Sequence, residues 1–312
     1  MVFKVIKMGN NNYCDICPRK CNTDRSLFKG YCHGGKNAKV ALVSIHNWEE
    51  PSISGTKGSG TVFFSGCNMR CVFCQNHDIS HGGKGIEITD ERLAEIFIEQ
   101  QQRGVHNINL VSGGHYVPNI INAIKQAKKL GLKIPVVYNS NGYESVETLK
   151  KLEGLIDIYI PDLKYVNDEY AVKYSSAPGY FETAVSAIKE MVRQTGKNIF
   201  DENGMMQKGV IIRHLVLPSL KNDSIKVIDA IKENFGENVY VSIMSQYTPV
   251  FKAKEYKEIN RRVTTFEYEK VTEHFLDIGL TKGYMQKRSS ATSDYTPCFD
   301  LSGVERKDDK NE

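Results

Sequence analysis

The sequence predicts an α/β protein, a parallel sheet covered by helices, with a small cysteine-rich knuckle at its amino end. Three observations carry this. From residue 61 onward, about six short apolar runs alternate with stretches of helical periodicity. Those runs are apolar at nearly every position, as strands covered on both faces must be. Ahead of them, cysteines stand at 14, 17, 21 and 32, interrupted by Pro18, Gly30, Gly34 and Gly35. Right-handed crossovers between successive parallel strands would curl such a sheet into a full or partial barrel.

Residues 1–12 read as a frayed polar end, followed by the knuckle and a strand over 41–46. Trp48, the one tryptophan, is expected to plug the space between knuckle and main domain. His46 and Glu49 or Glu50 could face a site and do acid–base work. The Gly/Ser-rich stretch 54–60 leads into a strand over 61–65 that ends at Gly66. Thr89 or Asp90 opens a helix burying Leu93, Ile96, Phe97 and Gln100, and Glu91 and Glu95 suit its positive amino end. A strand over 107–112 ends in Gly113-Gly114. The helix after it carries Ile120, Ile124, Ala127 and Leu130 on one face and closes at Gly131. Next come a strand over 134–139, a helix over 145–152 and a strand over 155–160 stopped by Pro161-Asp162. Helical text over 167–175 and 180–195 precedes a strand over 210–217, a helix over 223–235 and a last strand over 239–244. The stretch 251–288, with helical periodicity near 264–278, is expected to cover the barrel mouth, and the tail 305–310 is expected to be disordered. The expected parts are a knuckle over 1–50, a barrel core over 51–250 and a covering segment with tail over 251–312.

The 312 residues, 40% hydrophobic and 25% charged, suit one globular domain with a small appendage. A net charge of +4 without a basic block gives no argument for nucleic acid. Apolar runs far shorter than a span exclude a transmembrane helix, and the start of the chain lacks a signal-peptide pattern. Eight cysteines in such a chain point to metal binding in a reducing cytoplasm rather than to disulfides.

The most specific stretch is Cys67-Asn68-Met69-Arg70-Cys71-Val72-Phe73-Cys74, a C-x3-C-x2-C spacing placed directly after a strand. Three thiolates in one loop can each hold one iron of a 4Fe–4S cube and leave the fourth iron open for chemistry. The residues by themselves also allow zinc-bound or merely buried cysteines. The knuckle's Cys14, Cys17, Cys21 and Cys32 suit either structural zinc or a second, saturated iron–sulfur cluster.

The spacing, with Phe73 just before the third cysteine, resembles the radical S-adenosylmethionine (SAM) superfamily. The wider string, with Arg70, Asn76 and Asp78, resembles the activating enzymes of glycyl-radical enzymes. Residues 14–302 as a whole resemble an uncharacterised group of pyruvate formate-lyase activase homologues. The resemblance implies a partial (βα)6 barrel, one 4Fe–4S cluster at Cys67, Cys71 and Cys74, and SAM as the cleaved molecule. It implies a reductant such as flavodoxin or ferredoxin and a glycine Cα–H of a partner polypeptide as substrate. Gly113 and Gly114 match the pair that meets the SAM amino group, although His115 stands where that family has an acid. Asn139, Ser140 and Asn141 match a ribose-contacting stretch whose acid is Asn139 here, and their side chains suit hydroxyl partners. Asp162 and Lys164 match a pair beside SAM and a monovalent cation. Lys164 and Arg213 are the candidates for the SAM carboxylate, with Arg the stronger fork. His77, His81 and His214 are expected to be structural, and Cys298 a plain thiol. Two other readings remain: radical modification of a small molecule or peptide, and a non-enzymatic iron–sulfur or zinc protein serving as redox sensor or scaffold.

Overall fold

In the computed structural model the described residues are 13–287, 290 and 296–306. The expected frayed end 1–12 and the tail beyond Arg306 lie outside them. The apolar runs form the strands predicted for them, and their side chains alternate between an outer layer under the helices and an interior. In order, the chain lays down β1 (Ala38–His46), α1 (Pro51–Ser54), β2 (Ser59–Phe64), α2 (His77–Ser80), β3 (Ile86–Ile88), α3 (Asp90–Gln102), β4 (Ile108–Val111) and α4 (Val117–Lys129). There follow β5 (Val136–Ser140), α5 (Val146–Lys150), β6 (Ile158–Pro161), α6 (Asp168–Ser175), α7 (Tyr180–Thr195), β7 (Ile199–Phe200) and β8 (Met206–Leu215). The last elements are α8 (Lys221–Phe235), β9 (Tyr240–Met244), α9 (Thr265–Asp277) and β10 (Gly283–Met285).

The strands β2, β4, β5, β6, β8, β9 and β10 pair in that order, each parallel to the next. This is the partial barrel, with β10 at one edge. At the other edge β1 runs antiparallel to β2, and β3 caps β1. Outward residues such as Leu110, Tyr138, Tyr159, Ile212 and Ile243 join the helices in the main core. Inward residues at the lower end, Val137, Ile158, Ile160 and Ile211, form a second cluster around Ile53 of α1. That antiparallel β1 has a consequence. Its end, His46, lies beside Ser59 at the start of β2, so residues 47–54 enter at the amino ends of the barrel strands and plug them.

Several expectations need correction. The strand ending at 244 is not the last: Gly283–Met285 adds a parallel strand to β9. Of the stretch expected to cover the mouth, 283–286 lines the cavity, but its helix, α9, is the crossover between β9 and β10. It packs on the outside against α8, where His274 Nε2 meets Asp229 Oδ1 at 2.6 Å, and the Tyr268 hydroxyl donates to Ile243 O of β9. Leu130 is 61% exposed because α4 ends at Lys129. The strand expected over 155–160 begins at Ile158, since the Leu155 and Ile156 N–H groups turn back to Leu152 O. Glu305 and Arg306 are held: Arg92 donates to the Glu305 carbonyl and Arg306 pairs with Glu95. Trp48 is 61% exposed at the cavity rim and is not a plug against the knuckle.

Candidate active site

At the carboxyl end of β2 the chain turns through Gly66, whose φ of +89° suits glycine, into the three-cysteine loop. Each sulfur meets a donor from a different place. Cys67 Sγ receives the Met69 N–H and Asn141 Nδ2, each at 3.4 Å; Cys71 Sγ receives Ser175 Oγ at 3.1 Å; Cys74 Sγ lies 3.2 Å from Ser80 Oγ. Burial pushes all three thiols up, Cys74 to about 12, and outweighs the opposing pull of Lys164 on Cys71 and of Arg70 on Cys67. An iron cluster would supply counter-charge, and the hydrogen bonds would remain as its outer partners. Among the described residues no three His, Cys, Asp or Glu side chains gather closely enough to hold a single metal ion.

The loop opens on a cavity of about 630 Å³ inside the barrel. Its walls carry Ser112, Asn139, Asn141, Asp162, Lys164 and Arg213, and Phe63, Phe73, Val111, Leu215 and Met244 make it apolar elsewhere. Phe73 packs edge-on against Tyr247 at 5.7 Å between ring centres. Arg213 faces inward because β8 alternates: Val210, Ile212 and His214 point out, Ile211, Arg213 and Leu215 in. Its guanidinium reaches Asp162 Oδ1 at 3.1 Å, Glu49 Oε2 at 3.2 Å and Asn139 Oδ1 at 2.5 Å. Lys164 Nζ lies 2.6 Å from Asp162 Oδ2. Burial opposes ionisation of Asp162, but Lys164 and Arg213 outweigh it and hold its carboxyl below the usual value. The same pairing keeps Lys164 charged despite burial.

Other predicted residues lie behind this wall. Gly113 and Gly114 do not line the cavity: a side chain on Gly113 would strike Ile120 and Phe64, and one on Gly114 would strike the Glu144 carboxylate. His115 is turned away, with Nε2 at 2.8 Å from Ser65 O, and burial lowers it to about 3. Glu144, which sequence reasoning missed, thus occupies the space beside the glycine pair. It accepts from Ser140 Oγ at 2.7 Å and Tyr138 Oη at 3.3 Å, and burial raises it to about 7. Its only sequence signal was an acid shortly after a strand end. Ser80 and Ser175, which meet two of the sulfurs, carried no signal at all. His77 stacks on Phe251 at 4.9 Å, His81 Nδ1 meets Ser80 Oγ at 2.8 Å, and His214 Nδ1 meets Leu163 O at 2.8 Å. Cys298 is exposed.

The knuckle sits directly on the cysteine loop. The Cys67 N–H donates to Cys32 O at 3.2 Å, and Arg19 Nε donates to Asn68 O at 2.8 Å. Arg70 reaches the Tyr31 carbonyl, and the Tyr31 ring lies 4.2 Å from the Arg19 guanidinium and 4.4 Å from that of Arg70. Within the knuckle, the Gly34 N–H donates to Cys32 Sγ at 3.4 Å, and Gly30 leaves room between the sulfurs of Cys21 and Cys32. Burial raises the Cys17 thiol to about 12 and that of Cys32 in the same direction.

Comparison with known proteins agrees with this geometry. The chain is 35% identical over 268 residues to MJ0674 of Methanocaldococcus jannaschii, described as uncharacterised, covering 83% of this chain and 73% of that one. It is 24% identical over 221 residues to the pyruvate formate-lyase-activating enzyme of Clostridium pasteurianum, covering 67% of this chain and 84% of the enzyme. Its fold is similar to Streptococcus suis SuiB bound to S-adenosylmethionine, with TM-score 0.47, 14% identity, and coverage of 71% and 48% of the two chains. A profile described as Radical SAM superfamily matches residues 61–206, from β2 and its three-cysteine loop to the start of β8. The chain belongs to the radical SAM superfamily.

Proposed function

We propose that this protein cleaves SAM reductively and abstracts hydrogen from a substrate held in the barrel, with a glycine of a partner polypeptide as the substrate. The observation that carries it is the three-cysteine loop, one donor at each sulfur, facing a cavity with a buried Asp162–Lys164–Arg213 wall. The glycine rests on similarity to the pyruvate formate-lyase-activating enzymes.

Cys67, Cys71 and Cys74 would hold a 4Fe–4S cluster, which would supply the electron for reductive cleavage of SAM. The chain's own residues do the rest. Asn141, Ser175 and Ser80 hold the sulfurs in place and spread their charge. Lys164 is placed to hold the SAM carboxylate, since its charge is kept by Asp162 and its side chain lines the cavity. Arg213 has N–H groups committed to Asp162, Glu49 and Asn139, so it orients those three groups. Asn139 and Asn141 are the candidates for ribose hydroxyls. Phe73, Val111, Leu215 and Met244 exclude water from a reactive intermediate. The knuckle cysteines Cys14, Cys17, Cys21 and Cys32 hold a second metal centre. The centre is an iron–sulfur cluster or zinc, and iron, sulfide and zinc analysis per chain decides between them. A small flavodoxin or ferredoxin serves as electron donor.

The test is incubation of the anaerobically reconstituted protein with SAM and a strong reductant. 5′-Deoxyadenosine is expected; its absence from protein with verified iron and sulfide sinks the enzyme reading. A glycine-centred radical signal on a co-purified protein would identify the partner. One observation favours a second reading, a small-molecule substrate: the cavity ends on a floor that carries a buried carboxylate, Glu50, whose Oε2 has no hydrogen-bond partner.

A further inference from the structure

The cavity floor is built by the segment between β1 and β2. Ile53 of α1 is fully buried among Val137, Ile158, Ile160, Met206 and Ile211, which anchors the plug. Gly55 is pinned at φ +47° against His106 and Met205. The plug presents two consecutive carboxylates, Glu49 and Glu50, to the cavity. Their situations differ. Glu49 accepts from Asn109 at 3.0 Å, from Asn139 at 3.3 Å and from Arg213 at 3.2 Å. Glu50 is 8% exposed, and its Oε2 has no hydrogen-bond partner. A buried carboxylate oxygen without a partner costs free energy that a folded protein tolerates where a ligand completes it.

The charges around the cavity say what that ligand is. The acids lining it are Glu49, Glu50 and Asp162, and the bases are Lys164 and Arg213, both committed to Asp162 or Glu49. One negative charge is left unanswered, at Glu50. The cavity lining also includes Trp48, Tyr284, Met285 and Met244, aromatic and thioether side chains that suit a cationic head and a short methylene chain. Among the described residues no group of donors there closes around a metal ion. We infer that Glu50 forms, on the rigid plug, a subsite for an alkylammonium group carried by the substrate. This rests on the radical SAM reading above and adds to it the chemical class of the substrate. Burial raises the Glu50 carboxyl against the pull of Arg213, as expected of an acid whose partner arrives with the ligand.

The experiment is calorimetric titration of the full-length protein with n-butylammonium, with and without SAM, beside n-butanol as the neutral probe of equal length. Butylammonium is expected to bind at least about tenfold more tightly than butanol, and Glu50→Gln is expected to remove that preference. Equal binding of the two probes by the native protein, or a preference that survives in Glu50→Gln, overturns the inference. So does loss of butylammonium binding once SAM is added, because the subsite would then belong to SAM. A glycine-containing peptide with and without a lysine separates the sources: a Glu50-dependent gain from lysine assigns the ammonium to a polypeptide, and a gain from butylammonium alone to a small amine. With reductant present, deuterium moving from deuterated butylammonium into 5′-deoxyadenosine would place the chain at the reacting end. If 5′-deoxyadenosine never forms but Glu50-dependent ammonium binding persists, the proposed function fails and the subsite stands.

Discussion

Replacing Glu144 by Gln should make the protein more stable, by a margin that widens as pH rises. The side chain is 3% exposed, and burial raises its carboxyl from 4.5 to about 7, partly offset by hydrogen bonds from Ser140 and Tyr138. A folded value above the unfolded one means full stability at low pH, lost progressively as pH climbs through about 7. At about 1.4 kcal/mol per tenfold change, keeping this acid buried costs about 2 kcal/mol at about pH 6 and about 3.4 kcal/mol at about pH 8.5. Gln has the same shape and no charge, so its advantage should grow by about 1.4 kcal/mol across that window. For a chain of this length that is a difference of about 2 °C in melting temperature. Paired anaerobic melts of the two proteins at several pH values measure it. A gap that stays flat, or narrows as pH rises, refutes the assignment of Glu144 as an acid kept neutral by burial.

Cys71→Ala should abolish 5′-deoxyadenosine formation, whereas Cys17→Ala should leave turnover per remaining cluster intact while iron falls from about eight to below about four per chain; iron, sulfide and product assays read both. Arg213→Met leaves the buried Glu49 without a cation and Asp162 with Lys164 alone, and should cost about 3–5 kcal/mol in urea unfolding. Gly66→Ala adds a methyl that collides with Cys32 O at φ +89°. Strain of about 1–3 kcal/mol and reduced iron content are expected, read by melting and metal analysis. Glu267 closes the capping box of α9 and takes the Arg261 fork, which holds its carboxyl well below the usual range. Its contribution is present above the unfolded carboxyl value and lost as pH falls, so the deficit of Glu267→Gln should shrink on acidification, measured by paired melts.

The parts of the fold legible in the sequence were those that a local pattern dictates. Val136-Val137 and Val210 to Ile212 are apolar on both faces because helices cover one side and the plugged interior the other. Thr89 announced α3 by capping it, and its oxygen does accept from the Arg92 N–H. β10 escaped because Gly283-Tyr284-Met285 is too short to carry a period and pairs only once α9 has returned the chain to β9. Nothing local told β1 to run antiparallel at the sheet edge, so the plug, and the place of Glu49 and Glu50 on it, had to come from the structure. The thiolate loop was legible because iron ligation fixes its spacing. The surrounding groups were less so: Ser175 meets Cys71 and Glu144 packs beside Gly114 only through tertiary folding, which sequence distance does not reveal.

The knuckle gains its meaning from where it docks. A chain of 312 residues with this much buried apolar surface does not need a metal staple to fold its barrel, unlike a domain too small for a core. The need is local. The three-cysteine loop is irregular backbone at the top of β2, where sheet hydrogen bonds have ended, and the knuckle supplies partners for it. Cys32 O takes the Cys67 N–H, Arg19 takes Asn68 O, and Arg70 ties the loop to Tyr31. Gly66 has no side chain because Cys32 O occupies that space. Metal binding orders short cysteine-rich segments that have little core of their own. A metal in the knuckle would therefore stiffen the scaffold on which the second set of thiolates is displayed. The two sets of cysteines are linked through one backbone hydrogen bond and two arginines, so loss of the first metal should show as poorer occupancy of the second site before it shows in the chemistry performed there.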